Sequence, residues 1–213
     1  MILLSGFEPF GGDAANPSWV AATLARDILR AEGHDVEALE LPCVFGEAAT
    51  ALLEAVDRLN PALVVSLGLA GGRDRISLER VAINCDDARI PDNAGRRPVD
   101  EEVVPGGPAA YFSTLPIKAA LRGLQIAGIR AEVSQTAGTY VCNHVFYALM
   151  HALALRPQTR GGFVHVPYDG SGLPLGRAVP AMPAGTMAEG IAVVVRTALV
   201  TDTDLTLSAG AIH

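Results

Sequence analysis

The stretch MILLSGFEPFGGDAANPSWVAATLARDILRAEGHDVEALEL, residues 1–41, decides the fold class of this 213-residue chain. It begins with a strand-length apolar run, Ile2–Ser5, and ends with a second one, Asp35–Leu41. Between them, Pro17 suits the first turn of a helix, and apolar residues recur at helical spacing through Ser18–Ala31. This strand–helix–strand unit predicts an α/β protein with a mostly parallel sheet covered by helices.

The rest of the chain continues the same alternation. Further strands are predicted at Leu63–Leu67, Glu132–Thr136 and Gly162–Val166, and further helices at Gly46–Leu59, Ala109–Ala127, Cys142–Leu155 and Met187–Leu199. The alternating run Ser77–Asn84 predicts a strand or hairpin, and a long ordered loop follows it up to Pro108. A second Pro- and Gly-rich loop spans Pro167–Gly185. Length and a continuous pattern predict one domain, residues 1–213.

Composition excludes several classes of function. Half of the residues are hydrophobic, 18% are charged, and the mean hydropathy is +0.31, so a disordered chain is excluded. The formal net charge is −7 without a basic cluster, which argues against nucleic acid as a partner. Apolar runs such as Ala62–Ala70 are shorter than the ~20 residues that cross a membrane. Three scattered cysteines cannot form a disulfide framework and predict a reducing compartment.

Three reactive side chains follow or end predicted strands, where ligands of open α/β sheets bind. They are Glu79, Cys142 and His165. Cys142 begins a predicted helix, whose free N–H groups and dipole are expected to lower the thiol pKa and to hold an oxyanion. The alternative is that a free cysteine is a small buried hydrophobe, and Cys43 and Cys85 are interpreted in that way.

A catalytic thiol needs a base, and His165 is the best placed of five histidines. His144 lies two residues from Cys142 and would point to another face of the helix. The remaining histidines lie in a turn, in mid-helix and at the terminus: His34, His151 and His213. The alternative for His165 is a hydrogen-bonded core histidine.

Glu79 fits the third role of a nucleophile–base–acid triad, the acceptor that fixes the tautomer of the imidazole. Spacing alone equally allows an exposed glutamate paired with Arg80 or Arg75.

Two glycine-rich stretches follow predicted strands, Gly6–Gly12 and Gly68–Arg73. Either could cradle a phosphate, but neither matches the dinucleotide-binding pattern or the P-loop. The first stretch instead places Phe7 and Phe10 at a strand end, where loop aromatics can wall an apolar pocket or simply pack in the core.

Several short motifs, in order along residues 5–167, resemble those of the type I pyroglutamyl peptidases, also called pyrrolidone-carboxylate peptidases. They are GFEPFGG with Asn16-Pro17-Ser18, the segment from Gly68 to Arg80, Ala88–Asn93, Thr136–Asn143, and His165-Val166-Pro167. The resemblance implies a three-layer α/β/α sandwich that assembles as a homo-tetramer. It also implies a cytoplasmic cysteine exopeptidase that removes N-terminal pyroglutamate from peptides without a metal or cofactor.

The resemblance also assigns roles to individual residues. The family's catalytic residues fall on Glu79, Cys142 and His165, the residues reached above. Its oxyanion-stabilising arginine falls on Arg89, beside the Cys142 amide. Its ring-binding pocket maps to Phe7, Phe10, Ile90, Tyr140 and Val141, together with Leu69, where relatives carry glutamine. A second departure from the family pattern is the loop Asp169–Gly172.

Two other functions stay open from the sequence. Leu69 favours a non-catalytic or weakly active protein that binds pyroglutamate or a similar cyclic amide on the same fold. The glycine-rich loops alone favour a nucleoside- or phosphate-handling enzyme of similar architecture.

Overall fold

A computed structural model describes residues 1–170 and 179–210 of the chain. Its first strand–helix–strand unit forms as predicted, with strands β1 (Ile2–Phe7) and β2 (Val36–Leu41) paired in parallel around helix α1 (Pro17–Ala31). The Asn16 side chain accepts a hydrogen bond from the Ser18 backbone N–H at the helix start. A proline in the first turn costs little because its missing N–H would have no partner inside the helix.

The remaining elements form one main sheet, a small second sheet and four more helices within the described residues. In chain order they are α2 (Glu47–Leu59), β3 (Leu63–Leu69), β4 (Ile76–Glu79), β5 (Val81–Ile83), β6 (Ala110–Phe112), α3 (Ile117–Ile126), β7 (Ala131–Ser134), α4 (Val141–Leu153), β8 (Arg160–Val166) and α5 (Ala184–Val200). The main sheet has the order β2-β1-β3-β8-β4-β7, and its β4–β8 pair is antiparallel. The predicted mostly parallel sheet is therefore confirmed.

Helices cover both faces of this sheet, which gives three layers. Alternate strand residues point to opposite faces. Leu4 and Val65 pack with α1, α3 and α5 in one core, whereas Leu3 and Val64 pack with α2 and α4 in the other. The α/β/α sandwich that the resemblance implied is confirmed. None of the helices in the described ranges is long and apolar enough to cross a membrane.

The prediction of one helix over Ala109–Ala127 is wrong in its first part. Ala110–Phe112 form strand β6, which pairs antiparallel with β5, and α3 begins only at Ile117. Pro116 precedes the helix, and a proline disfavours helical backbone at the residue before it. The aromatic residues in β6 also suit a strand better than a helix.

The alternating run Ser77–Asn84 contributes to two sheets. Its first half is β4 in the main sheet, its second half is β5 in the small sheet, and Arg80 separates them. The predicted long loop then connects β5 to β6 and is ordered by buried Asp92, whose carboxylate accepts backbone N–H bonds, including that of Phe45. Part of the other predicted loop, residues 171–178, lies outside the described residues.

Candidate active site

A cavity of about 290 Å³ opens at the carboxyl ends of β1, β3 and β8. Phe7 is the last residue of β1, Leu69 is the last of β3, and His165 is the next to last of β8. The predicted site residues that line this cavity are Phe7, Phe10, Leu69, Tyr140, Cys142 and His165. Its position is the one expected for the ligand site of an open α/β sheet.

Glu79 reaches this site in a different way from the one that the sequence suggested. Because β4 runs antiparallel to β8, the end of β4 does not lie at the cavity edge of the sheet. Ser77 is paired with His165, so Glu79 is the diagonal neighbour of His165 on the same face. Its Oε1 lies 2.7 Å from Nδ1 of His165.

The Glu79–His165 pair is almost completely buried, with 0% and 4% of each residue exposed. An ionised carboxylate can only accept hydrogen bonds, so Nδ1 of His165 carries the proton in this pair. Nε2 then keeps its lone pair and can act as a base. The acceptor role predicted for Glu79 therefore fits the observed contact, and the surface pairs with Arg80 or Arg75 do not form, because Arg80 bonds Gln135 and Arg75 bonds Asp74.

Cys142 is the second residue of α4, and its thiol lies against the backbone of β3. A Cβ atom added to Gly68 would lie 2.7 Å from its Sγ atom. Burial raises the pKa of the Cys142 thiol, and the nearby charges of Cys43 and Glu79 act in the same direction. Arg73 and the Cys142 backbone N–H oppose this increase in the pKa. The helix start therefore acts in the predicted direction, but desolvation of the thiolate outweighs it, so the net shift of the pKa is upward and not downward as expected.

Of the other two cysteines, Cys43 is buried as the sequence indicated, whereas Cys85 is not. Cys43 is buried in a hydrophobic core, where burial raises the pKa of its thiol to about 12. Its side chain nevertheless lines the cavity, which the sequence gave no reason to expect. Cys85 is partly exposed, and burial raises its pKa as well. All three cysteines are free thiols.

Two of the other histidines, His144 and His151, have side-chain partners elsewhere in the described residues. Nδ1 of His144 lies 2.7 Å from Asp86, and its Nε2 accepts the Gly46 backbone N–H, so neither nitrogen is free. His151 contacts the Tyr111 hydroxyl. His213 lies outside the described residues. The choice of His165 as the base candidate is consistent with these contacts.

Four predicted site residues do not line the cavity. Glu79 contacts His165, which does line it. Val141 is fully buried, and Arg89 and Ile90 are exposed on the β5–β6 connection. That connection is attached to the start of α4, because the Thr139 hydroxyl donates to the Asp87 carbonyl and the Tyr140 hydroxyl donates to the Pro91 carbonyl. The roles assigned to Arg89, Ile90 and Val141 stay predictions.

Sequence reasoning missed Arg73, which lines the cavity and lies close to the triad candidates. Its Nη1 atom lies 2.8 Å from Oε1 of Glu79, and its Nη2 atom donates to the Thr136 carbonyl at 3.3 Å. The available signal was its place at the end of the glycine-rich loop after β3.

The Cys142 thiol and the His165 imidazole thus line one cavity, the Glu79 carboxylate contacts that imidazole, and the free N–H groups of a helix start lie beside the thiol. This set of groups is the one that nucleophilic acyl transfer requires. The fold and the site together define a thiol hydrolase of α/β/α architecture. Among the described residues, no three or more His, Cys, Asp or Glu side chains are grouped to hold a metal ion.

Comparisons with known proteins agree with this class. A sequence profile described as pyroglutamyl peptidase matches residues 1–201. Proteins named pyrrolidone-carboxylate peptidase from Escherichia fergusonii and Streptomyces coelicolor are 51% and 53% identical to the chain, over 100% of it and 99% of each relative. The crystal structure of pyroglutamyl peptidase I from Bacillus amyloliquefaciens is similar with a TM-score of 0.90 at 39% identity, covering 97% of this chain and 98% of that one.

With this match over nearly its whole length, the chain belongs to the pyroglutamyl peptidase family. It is an enzyme, a cysteine-type omega-peptidase of the hydrolase class, and the predicted family and enzyme class are confirmed. Membership in this family favours the catalytic interpretation over the binding-protein and phosphate-handling alternatives.

Proposed function

We propose that this enzyme hydrolyses the amide bond after an N-terminal pyroglutamyl residue, with Cys142 as nucleophile, His165 as base and Glu79 as the acid that orients the base. The observation that carries the proposal is the 2.7 Å contact between Glu79 and His165 at the cavity that Cys142 also lines. This contact leaves Nε2 of the imidazole available for proton transfer.

The reaction would proceed in two stages. Nε2 of His165 takes the proton of the Cys142 thiol while Sγ attacks the carbonyl carbon that follows the lactam ring. Collapse of the tetrahedral intermediate breaks the C–N bond, and the imidazolium gives its proton to the leaving amine. Water, deprotonated by the same imidazole, then cleaves the thioester and releases pyroglutamate. Because burial raises the thiol pKa, the attack depends on His165 as the base that takes the thiol proton.

The oxyanion of the intermediate needs hydrogen-bond donors. The Cys142 backbone N–H belongs to the first turn of α4, where N–H groups have no partner inside the helix. Arg89 is proposed as a second donor that reaches the oxyanion once substrate is bound. Its exposure and the attachment of its loop to Thr139 and Tyr140 are compatible with such a movement.

The cavity wall explains a preference for a lactam over a free amino terminus. Phe7, Phe10, Leu69 and Tyr140 offer mostly apolar surface. A charged ammonium group would have to lose its water there without a paired anion, which is costly. A neutral lactam can enter and bond to backbone groups of the wall.

Hydrolysis of a chromogenic pyroglutamyl amide tests this proposal. We expect activity that iodoacetamide abolishes, with the label on Cys142, and a corresponding prolyl amide should be a poor substrate. Cys142→Ala should lower kcat by at least about 10³-fold, on the order found for lost nucleophiles. Cys85→Ala is the matched control and should keep the activity of the wild type. Full activity of Cys142→Ala would overturn the proposal.

The expected assembly and substrates complete the proposal. Peptides that begin with pyroglutamate are the expected partners, and a homo-tetramer stays a prediction that light scattering can measure.

A further inference from the structure

Arg73 brings a permanent positive charge to the cavity next to a carboxylate that has no contact with solvent. The Arg73 side chain is 29% exposed, whereas the Glu79 side chain is 0% exposed. Oε1 of Glu79 makes two hydrogen-bond contacts, with Arg73 at 2.8 Å and with His165 at 2.7 Å. The other oxygen, Oε2, is buried without a hydrogen-bond partner.

A carboxylate in this environment needs a cation. A buried ionised group without a counter-charge is so costly that it normally takes up a proton and becomes neutral. The neutral imidazole of His165 supplies a hydrogen bond but no charge in the resting enzyme. Arg73 supplies the charge, because a guanidinium stays protonated at every relevant pH.

The ionised form of Glu79 matters for proton transfer at His165. A carboxylate stabilises the imidazolium that forms when Nε2 takes the proton of Cys142, whereas a neutral carboxyl group does so far less. A neutral carboxyl group could also turn its own O–H towards Nδ1. The imidazole would then carry its proton on Nε2, which is the wrong tautomer for a base.

We propose that Arg73 is a positioning residue of the triad, which keeps Glu79 ionised and so holds His165 in the tautomer that can accept the thiol proton. This inference rests on the proposed function. The positive charge of Arg73 also lowers the pKa of the Cys142 thiol. It therefore favours the ionised forms of both Glu79 and Cys142, and both forms assist the attack.

A purely structural role for Arg73 would act through a different contact. Its bond to the Thr136 carbonyl connects the loop after β3 with the loop after β7, and both loops line the cavity. Loss of that bond alone would change the shape of the pocket and therefore raise KM. Loss of the charge would lower kcat and change the pH profile.

The first experiment compares Arg73→Met, which removes the charge at similar length, with Arg73→Lys, which keeps it. Ionisable groups around the triad include Glu79, His165 and Cys142 themselves, and the Cys43 thiol and Tyr140 hydroxyl. In Arg73→Met, Glu79 and Cys142 both lose a cation, so the rising acid limb of kcat/KM should move to higher pH. We expect kcat to fall on the order of 10²-fold, within the range of general-base catalysis.

Arg73→Lys should keep the acid limb near its wild-type position. Arg75→Met is the matched control, since Arg75 lies two residues away, pairs with Asp74 at the surface and does not line the cavity. It should leave both kcat and the pH profile unchanged. An unshifted acid limb in Arg73→Met, with only KM raised, would overturn the proposal in favour of the structural role.

A double variant keeps the proposal testable if Arg73→Met folds poorly, because Glu79→Gln removes the buried carboxylate that Arg73→Met alone would leave without a cation. Glu79→Gln removes the carboxylate that Arg73 serves, so Arg73→Met in that background should lower kcat by a clearly smaller factor than it does in the wild type, and the remaining loss is that of its charge near Cys142. Interacting residues are non-additive in this way, whereas independent ones are additive. A full additional loss in the double variant would contradict the proposal.

The failure of this inference can be distinguished from failure of the proposed function. If the wild-type enzyme does not cleave the pyroglutamyl amide, the proposed function is wrong. If it does and Arg73→Met retains the wild-type pH profile, only the role of Arg73 is wrong.

Discussion

At the scale of single residues, two histidine–carboxylate pairs of the same length are buried in the described part of the chain. His165–Glu79 and His144–Asp86 both have a 2.7 Å contact at Nδ1. They differ at Nε2, because that atom of His144 accepts the Gly46 N–H. The first pair therefore has a nitrogen available for proton transfer, whereas the second joins α4 to the start of α2.

This difference predicts opposite effects of the same conservative substitution. Glu79→Gln should lower kcat by about 10²- to 10⁴-fold and leave the melting temperature nearly unchanged, since an amide can still accept from Nδ1–H but cannot stabilise imidazolium. Asp86→Asn is the matched control and should lower the melting temperature with little effect on kcat. Measured kcat and thermal unfolding of both variants check this, and equal losses of kcat would contradict the separation of roles.

Leu69 is the second residue-scale prediction. Its side chain lies at the cavity, at the position where the resemblance to the family implies a glutamine. An amide there can bond the lactam or support the loop, and such a bond is worth about 1–3 kcal/mol, or roughly 5- to 150-fold in kcat/KM. We expect Leu69→Gln to raise kcat/KM for a pyroglutamyl amide by a factor in that range and to leave a prolyl amide slow. If kcat/KM for both the pyroglutamyl and the prolyl amide stays unchanged in Leu69→Gln, only the backbone of residue 69 contacts the ligand.

At the scale of elements, the close approach of α4 to the sheet places the nucleophile. Gly68 lies in β3 where a side chain would enter the space of the Cys142 thiol and of the Phe163 ring, at 2.7 and 2.8 Å. Real Cβ atoms do not occur that close to other atoms, so the helix start depends on a glycine in this strand.

Gly68→Ala should therefore displace the thiol. We expect kcat to fall about 10- to 100-fold, because a shift of about 1 Å at the reacting atom is sufficient for such a loss. The far-ultraviolet circular dichroism should stay that of the wild type. Gly185→Ala in α5 is the matched control, since a Cβ there meets no atom within 4 Å, and it should keep full activity. A fully active Gly68→Ala would show that the thiol can tolerate the displacement.

The elements also show where sequence patterns are sufficient and where they fail. The βαβ unit at residues 1–41 is predictable because apolar spacing and the Asn16–Pro17 helix start are local properties. The direction of β4 is not, since the four residues Ile76–Glu79 carry the same pattern in either orientation. Their pairing with β8 is a long-range contact. The strand β6 was missed for a similar reason, because its partner β5 lies almost thirty residues away.

At the scale of the whole molecule, burial determines the ionisation of the site residues, which local sequence motifs do not show. The identity of the triad candidates could be predicted from strand ends and from the resemblance. The raised pKa of Cys142 and the contact between Arg73 and Glu79 could not, because both arise from segments that meet only in the folded protein. The sequence shows that Cys142 lies at a helix N-terminus, which lowers a thiol pKa. The desolvation that raises the same pKa depends on the layers packed around the thiol, which the sequence does not show.

The same burial predicts how the stability of the molecule depends on alkaline pH. The thiols of Cys43, Cys85 and Cys142 and the phenol of Tyr140 all have raised pKa values, with burial as the first cause. Each group favours its neutral form in the folded state. Their contribution to stability is complete below the pKa of the unfolded chain, about 8.5 for cysteine, and is lost as the pH rises through the folded values.

Cys43 provides the clearest test, because its pKa rises to about 12 in a side chain that is nearly fully buried. Between about pH 9 and pH 12 the unfolded thiol loses its proton while the folded one keeps it, so the free energy of unfolding falls by about 1.4 kcal/mol per pH unit for this group. Urea unfolding of wild type, Cys43→Ala and Cys85→Ala at pH 8 to 10.5 measures the effect. Cys43→Ala should show a shallower decline than the wild type, whereas Cys85→Ala should lie close to it. Equal slopes in all three proteins would mean that the Cys43 thiol ionises as readily in the folded protein as in the unfolded chain.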